Sequence, residues 1–189
     1  MLLACGIGAL TLTSCSALQV DTVYSPAGTE TTIVIVRHGE RDEGLDPPLN
    51  EEGLARAQAL ADELAEAGVT VVMYPDLMRN RQTADPLVER TGAARREFSA
   101  VEAADTKALA NNFVDEVLAD YAGGVVVWIG NTGPYIEGVQ EGNLTEIYHR
   151  LGGTGTPPVQ YDSLYTITLH DERPPTFDEG TYGAVSSLD

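Results

Sequence analysis

The chain alternates short, wholly apolar runs with longer stretches whose apolar residues recur every three or four positions. Residues 31–37 read Thr-Thr-Ile-Val-Ile-Val-Arg, β-branched and uninterrupted, which predicts a strand buried on both faces. Residues 69–73 and 125–129 share that character, 163–169 form a last clear strand, and a shorter one is expected over 97–101. Asn50 suits the N-cap of a helix on which Leu54, Ala57, Ala61 and Leu64 share a face until Gly68 ends the pattern. Residues 76–92 read as mostly helical with Pro86 a kink or break, and 106–121 place Leu109, Phe113 and Val117 on one face. Pro134 fits the first turn of a further helix, and 143–151 one more. Strands alternating with helices predict an α/β fold: a three-layer α/β/α arrangement around a mostly parallel central sheet.

At 189 residues and 43% hydrophobic composition, the chain can build one domain with a substantial core. Its charge is lopsided. Twenty-nine acidic residues against 11 basic give a formal −18, and Lys107 is the only lysine. Nucleic acid is thereby excluded as a partner, because that affinity comes mostly from Lys and Arg neutralising phosphates. Small anionic substrates would also be repelled at long range, so a phosphate site requires a local Arg cluster. Salt shortens the reach of that repulsion to about 10 Å at 0.1 M.

Both cysteines, Cys5 and Cys15, lie in the first fifteen residues, so the remainder has no disulfide and no Cys-rich metal site. Residues 1–12 are apolar and too short to span a bilayer as a helix. The following Leu12-Thr13-Ser14-Cys15 resembles a bacterial lipobox. The resemblance implies a signal peptide over 1–15, lipidation at Cys15, a polar tether over 16–30 and a domain over 31–185. It also implies export to the periplasm or outer cell envelope, with the membrane engaged through the lipid anchor only.

Candidate chemistry starts where the first strand empties into Arg37-His38-Gly39-Glu40. In open α/β sheets ligands bind beyond the carboxyl ends of strands. Arg offers a fixed fork of donors suited to phosphate, and a neutral imidazole beside it can act as a nucleophile. The glycine-rich run at Gly152 lacks the Gly-Lys-Ser/Thr of a phosphate-binding P-loop and reads as a plain loop. Asn143-Leu144-Thr145 matches a glycosylation triplet, a pattern common by chance.

Arg37-His38-Gly39-Glu40 at a strand end, followed by Pro48-Leu49-Asn50 and Gly53, resembles the histidine phosphatase (phosphoglycerate mutase-like) superfamily. The second block, Asp76 through Arg79 to Gln82-Thr83-Ala84, agrees with it, and the likeness runs from about Thr31 to Gly183. The resemblance implies phosphomonoester hydrolysis through a phosphohistidine at His38, with Arg37 and Arg79 clamping the phosphoryl oxygens and no metal or other cofactor. The implied partner is a phosphorylated small molecule or phosphoprotein. Arg41 and Arg81 would add positive potential at the rim, and Glu102 or Asp105 would be the general acid, although both also suit solvated surface acids. Aligning Asn131-Thr132-Gly133-Pro134 with the family's third block places Ile129 on the second histidine of the pattern. Isoleucine cannot donate, so the expectation is a weakened enzyme with Asn131 as a partial substitute. The alternative is an inactive pseudophosphatase that binds a phosphorylated ligand or partner at the cell envelope. His149 and His170 are expected on surface elements.

Overall fold

In the computed structural model, residues 21–133 and 141–188 are described. The lipobox and the helix expected at Pro134 lie outside them. Six strands form one mixed sheet in the order β3-β2-β4-β1-β5-β6. Strands β1 (Thr31–Arg37), β2 (Val69–Pro75), β3 (Ala94–Phe98) and β4 (Val125–Gly130) run parallel. The next strand, β5 (Ser163–Leu169), is antiparallel to β1, and β6 (Thr176–Thr181) is antiparallel to β5.

Alternation along the strands divides the core in two. Ile33, Ile35, Val126 and Trp128 face one side, under α3 (Ala100–Ala103), α4 (Thr106–Asp120) and α5 (Asn143–Arg150). Val34, Val36, Val127 and Ile129 face the other, under α1 (Glu51–Glu63) and α2 (Met78–Thr91). Helices therefore cover both faces, which is why the central strands are apolar on both. Trp128 is fully buried and meets Phe98 and Phe113 edge-on, with ring centroids 5.6 and 5.1 Å away.

Several local expectations shift. The third strand begins three residues earlier than the expected 97–101: Ala94–Phe98 pairs with β2, and Ser99 then caps α3, so Val101 is helical and exposed. Leu54 is half exposed on α1, and Leu60 takes the buried place beside Ala57 and Ala61. Pro86 is accommodated within a continuous α2. Asn50 caps α1 as its sequence suggests, accepting from Gly53 N at 3.0 Å. His170 is buried, not superficial, its Nδ1 2.8 Å from Glu30 and its Nε2 3.2 Å from the Thr176 hydroxyl. Asn143 is also buried, which removes it as a glycosylation acceptor. No described helix is long and apolar enough to cross a membrane.

Candidate active site

Because β1 and β4 are parallel neighbours, their carboxyl ends open on the same edge of the sheet. Their register pairs Val36 with Ile129 and Arg37 with Gly130, and His38 N donates to Gly130 O at 3.2 Å. Helix α2 begins at that edge and delivers Arg79 from its first turn. A pocket of about 440 Å³ forms there, lined by Arg37, His38, Arg41, Leu45, Leu77, Arg79, Asn131, Thr132 and Gly133.

The loop after β1 is clamped from below. Gly39 and Gly53 meet so closely that a Cβ on Gly53 would overlap the Glu40 carbonyl, and one on Gly39 would lie 2.8 Å from Gly53 O. Only glycine fits at either place. Glu40 is buried beneath the loop in a two-pronged ion pair, with Arg56 Nε donating to its two oxygens at 2.8 and 2.9 Å. Helix α2 fixes the other side. Thr83 Oγ1 accepts from Gly39 N at 3.0 Å and donates to Arg79 O at 2.8 Å, while Gln82 Oε1 accepts from Leu49 N at 2.8 Å. The Gln-Thr pair of the second block thus ties the first block to the helix that carries Arg79.

His38 is 3% exposed, and its Nδ1 lies 2.7 Å from Gly39 O. A carbonyl only accepts, so Nδ1 carries the proton and Nε2 keeps its lone pair. Burial, joined by the positive charges of Arg37, Arg79 and Arg41 and opposed by the Gly39 bond, pushes the imidazole pKa down to about 3. The ring is therefore neutral throughout the ordinary pH range.

The arginines are held in distinct ways. Arg37 donates from Nη1 to Val159 O at 2.8 Å and from Nη2 to Tyr161 Oη at 3.4 Å, with its guanidinium 4.2 Å over the Tyr161 ring. Arg79 donates from Nε to Asn131 Oδ1 at 3.1 Å and from Nη1 to Asp46 Oδ1 at 3.3 Å. Asp46 also accepts from Met78 N at 3.0 Å, so it serves as the N-terminal cap that Leu77 cannot provide. Arg41 lines the pocket with the other two.

The remaining candidates lie elsewhere. Arg81 faces away from the lining, in ion pairs with Asp76 at 2.8 Å and Glu97 at 3.1 Å. Glu102 closes a capping box on Ser99 and pairs with Arg96 at 2.8 Å. The Arg96 bond, then the Ser99 bonds, hold its carboxyl down at about 2, the opposite of what a general acid needs. Asp105 caps α4, accepting from Lys107 N and Ala108 N at 3.1 and 3.0 Å. Neither carboxylate lines the pocket. Among the described residues, no three His, Cys, Asp or Glu side chains cluster as a metal site would require.

The third block needs a correction. Ile129 is fully buried among the apolar residues under α1 and α2, one register step inside the pocket. Two residues on, Asn131 is the β4-side residue that lines the pocket with His38. Its backbone is set by two asparagines, Asn80 Nδ2 donating to Ile129 O at 2.8 Å and Asn143 Oδ1 accepting from Asn131 N at 2.9 Å. The register thus carries Ile129 into the core and brings Asn131, one strand period on, to the pocket that the sequence pattern assigns to position 129. Ile129→His is accordingly expected to cost about 1–3 kcal/mol of stability and to leave any phosphatase activity no higher. Thermal denaturation and an aryl phosphate assay check this, and a large gain in rate would show that residue 129 does reach the site.

No curated protein sequence matches this chain. Solved structures resemble it in fold. The protein histidine phosphatase SixA in complex with tungstate superimposes with a TM-score of 0.57 at 16% identity, over 79% of this chain and 96% of that one. A structure described as a putative alpha-ribazole-5'-P phosphatase from Escherichia coli gives 0.58 at 12% identity, over 84% and 99%. A mycobacterial glucosyl-3-phosphoglycerate phosphatase with inorganic phosphate gives 0.55 at 18%, also over 84% and 99%. The sequence profile of the histidine phosphatase superfamily (branch 1) matches residues 33–150, more than half of the chain, and that match, on a fold whose Arg37-His38-Gly39 loop and Arg79 helix converge on one pocket, makes this protein a member of the superfamily.

Proposed function

We propose that the protein hydrolyses phosphomonoesters through a phosphohistidine at His38. The observation that carries this reading is the neutral, Nδ1-protonated His38 sharing one pocket with three guanidinium groups. The His38 Nε2 lone pair attacks phosphorus, and the N–P bond forms as the P–O bond to the leaving group breaks. The leaving oxygen keeps the bonding pair and takes a proton from water. Phosphorylated His38 is then an imidazolium whose Nδ1–H still donates to Gly39 O, so the carbonyl stabilises the charge that develops. Water attacks phosphorus, the N–P pair returns to Nε2, and phosphate leaves. Arg37 and Arg79 hold the nonbridging oxygens throughout.

The pH dependence follows from His38. Because its pKa is lowered to about 3, the nucleophile stays unprotonated as pH falls from 8 to about 4. The rate, corrected for the substrate's own ionisation, should show no acid limb near 6.5; a histidine limb there would contradict the assignment.

A second reading, a binder without turnover, is favoured by the neutral Asn131 where an imidazole is usual. Incubating the full chain with radiolabelled aryl phosphate, and looking for an acid-labile, base-stable phosphoprotein, decides between them. The hydrolase reading expects label on wild type and none on His38→Ala. Phosphate binding with no label on either protein would support the binder.

A further inference from the structure

Asn131 is only 6% exposed, and its side-chain amide is oriented by a neighbour that cannot accept. Arg79 has donors only, so the atom facing its Nε is the Asn131 oxygen, and Nδ2 lies on the other branch of the amide. That Nδ2 is buried and has no hydrogen-bond partner. Such donors are rare in folded proteins and call for an explanation. The Arg41 Nε and Arg37 Nε are buried and unpartnered too, on side chains that line the same pocket. Three orphaned donors around one cavity fit an anion.

The ion pairs sharpen this. With 29 acidic residues available, Arg56, Arg79, Arg81, Arg90, Arg95, Arg96 and Arg173 each contact a carboxylate. Among the described residues Arg37, Arg41 and Arg150 form no salt bridge; Arg150 donates to Asn111 away from the pocket, and the other two line it. Arg41 donates only to its neighbour's backbone, Nη1 to Asp42 O at 2.8 Å. It is held at the mouth by the bridge between Arg41 and Leu49, which closes the acidic loop on itself. A guanidinium in no salt bridge with a described carboxylate, in a chain this acidic, is available to a ligand.

We infer that Asn131 and Arg41 divide the task of one imidazolium at the phosphoryl group: Asn131 Nδ2 supplies the hydrogen bond and Arg41 supplies the positive charge. This rests on the phosphoryl pocket proposed above, and it names Arg41 as the residue that adds, beside Arg37 and Arg79, the charge a second histidine would carry. The positive field of Arg41 also reaches His38, where it disfavours protonation. A charge fixed in all ordinary conditions has one consequence that an imidazole would not have. Anion binding should not fade as pH rises through 6 to 8, beyond what the ionisation of phosphate itself dictates.

Calorimetric titration of the full chain with inorganic phosphate tests this apart from turnover. Arg41→Gln should raise the phosphate Kd about 10- to 100-fold, while Arg41→Lys, which keeps the charge, should lose under about 10-fold. Introducing Asn131→His into Arg41→Gln should recover at least about 10-fold at pH 6 and little at pH 8, because only the protonated imidazole restores the charge. A thermal melt confirms that each variant is folded. Arg41→Gln binding as tightly as wild type would overturn the inference, as would a double variant whose losses simply add at both pH values. Phosphate binding that follows the expected pattern without any phosphohistidine would uphold it and sink only the hydrolase reading. Absence of phosphate binding by wild type would end both.

Discussion

His38→Ala is expected to lower kcat for an aryl phosphate by at least about 10⁴-fold, because in the proposed mechanism loss of the covalent nucleophile removes the whole route. Among the described residues of the lining, nothing else can replace it. The lining holds three guanidinium groups, an amide, two leucines, a glycine and the hydroxyl of Thr132, and that hydroxyl has no general base among those residues. A residual rate within about 10-fold of wild type would remove His38 from the mechanism. Stability separates this from a merely structural role. His38 has a folded pKa lowered to about 3 from about 6.5 in the unfolded chain. Between those values the unfolded chain binds the proton and the folded one does not, so wild type loses stability as pH falls through that window. The alanine variant lacks this penalty. At pH 7 it should be the less stable protein, since a buried side chain and its bond to Gly39 O are gone; at pH 4 the gap should narrow or reverse. Urea denaturation at the two pH values reads the difference directly.

Which parts of this site could be read from the sequence depended on the range of the forces that set them. The strand 31–37 and the Arg37-His38-Gly39-Glu40 turn were legible because an uninterrupted β-branched run has few alternatives. The second block was legible too, since Arg79, Gln82 and Thr83 follow one another on a single helix. That Ile129 faces the core and Asn131 the pocket was not legible, because the short Asn-Thr-x-Pro string carries no strand period. Val127, Ile129 and Asn131 share a face, and only the pairing of β4 with β1 shows that the pocket begins at the third of them. Strand β6 gave no pattern to find: all six of its residues are exposed, so neither alternation nor apolarity marks it. The third strand, Ala94-Arg95-Arg96-Glu97-Phe98, hides for a related reason, with only Phe98 fully buried. Glu102 and Asp105 were drawn into the site by sequence proximity to the second block, whereas their carboxylates are spent on helix caps. The supports of Arg37 were out of reach altogether, for Val159 and Tyr161 lie 122 and 124 residues further along the chain.

The least legible feature carries the second large effect. Glu40 belongs to the first motif, where its sequence suggests a residue that organises the loop but names no partner, and it and Arg56 form a pair whose side chains are each 4% exposed. Arg56 also donates from Nη1 to Tyr182 O at 3.2 Å and Ala184 O at 3.0 Å, so one guanidinium joins the 37–40 loop, helix α1 and the C-terminal segment. Removing one partner of such a pair strands a buried charge, which costs about 3–5 kcal/mol. For a chain of this size that is a fall in Tm of roughly 10 °C. Arg56→Ala and Glu40→Ala are each expected to show it. Arg56→Ala should also release the C-terminal segment, visible as faster hydrogen exchange at residues 182–186. Replacing both, Glu40→Leu with Arg56→Met, should recover much of the stability because no charge is then left alone. Activity should not return with it. The 38–40 turn keeps its Gly39–Gly53 contact in the double variant but loses the charged strut beneath it, and a His38 displaced by about 1 Å is enough to cost about 10²-fold in rate. A single variant melting within a degree or two of wild type would show that water reaches the pair, and that the loop is held by glycine packing alone.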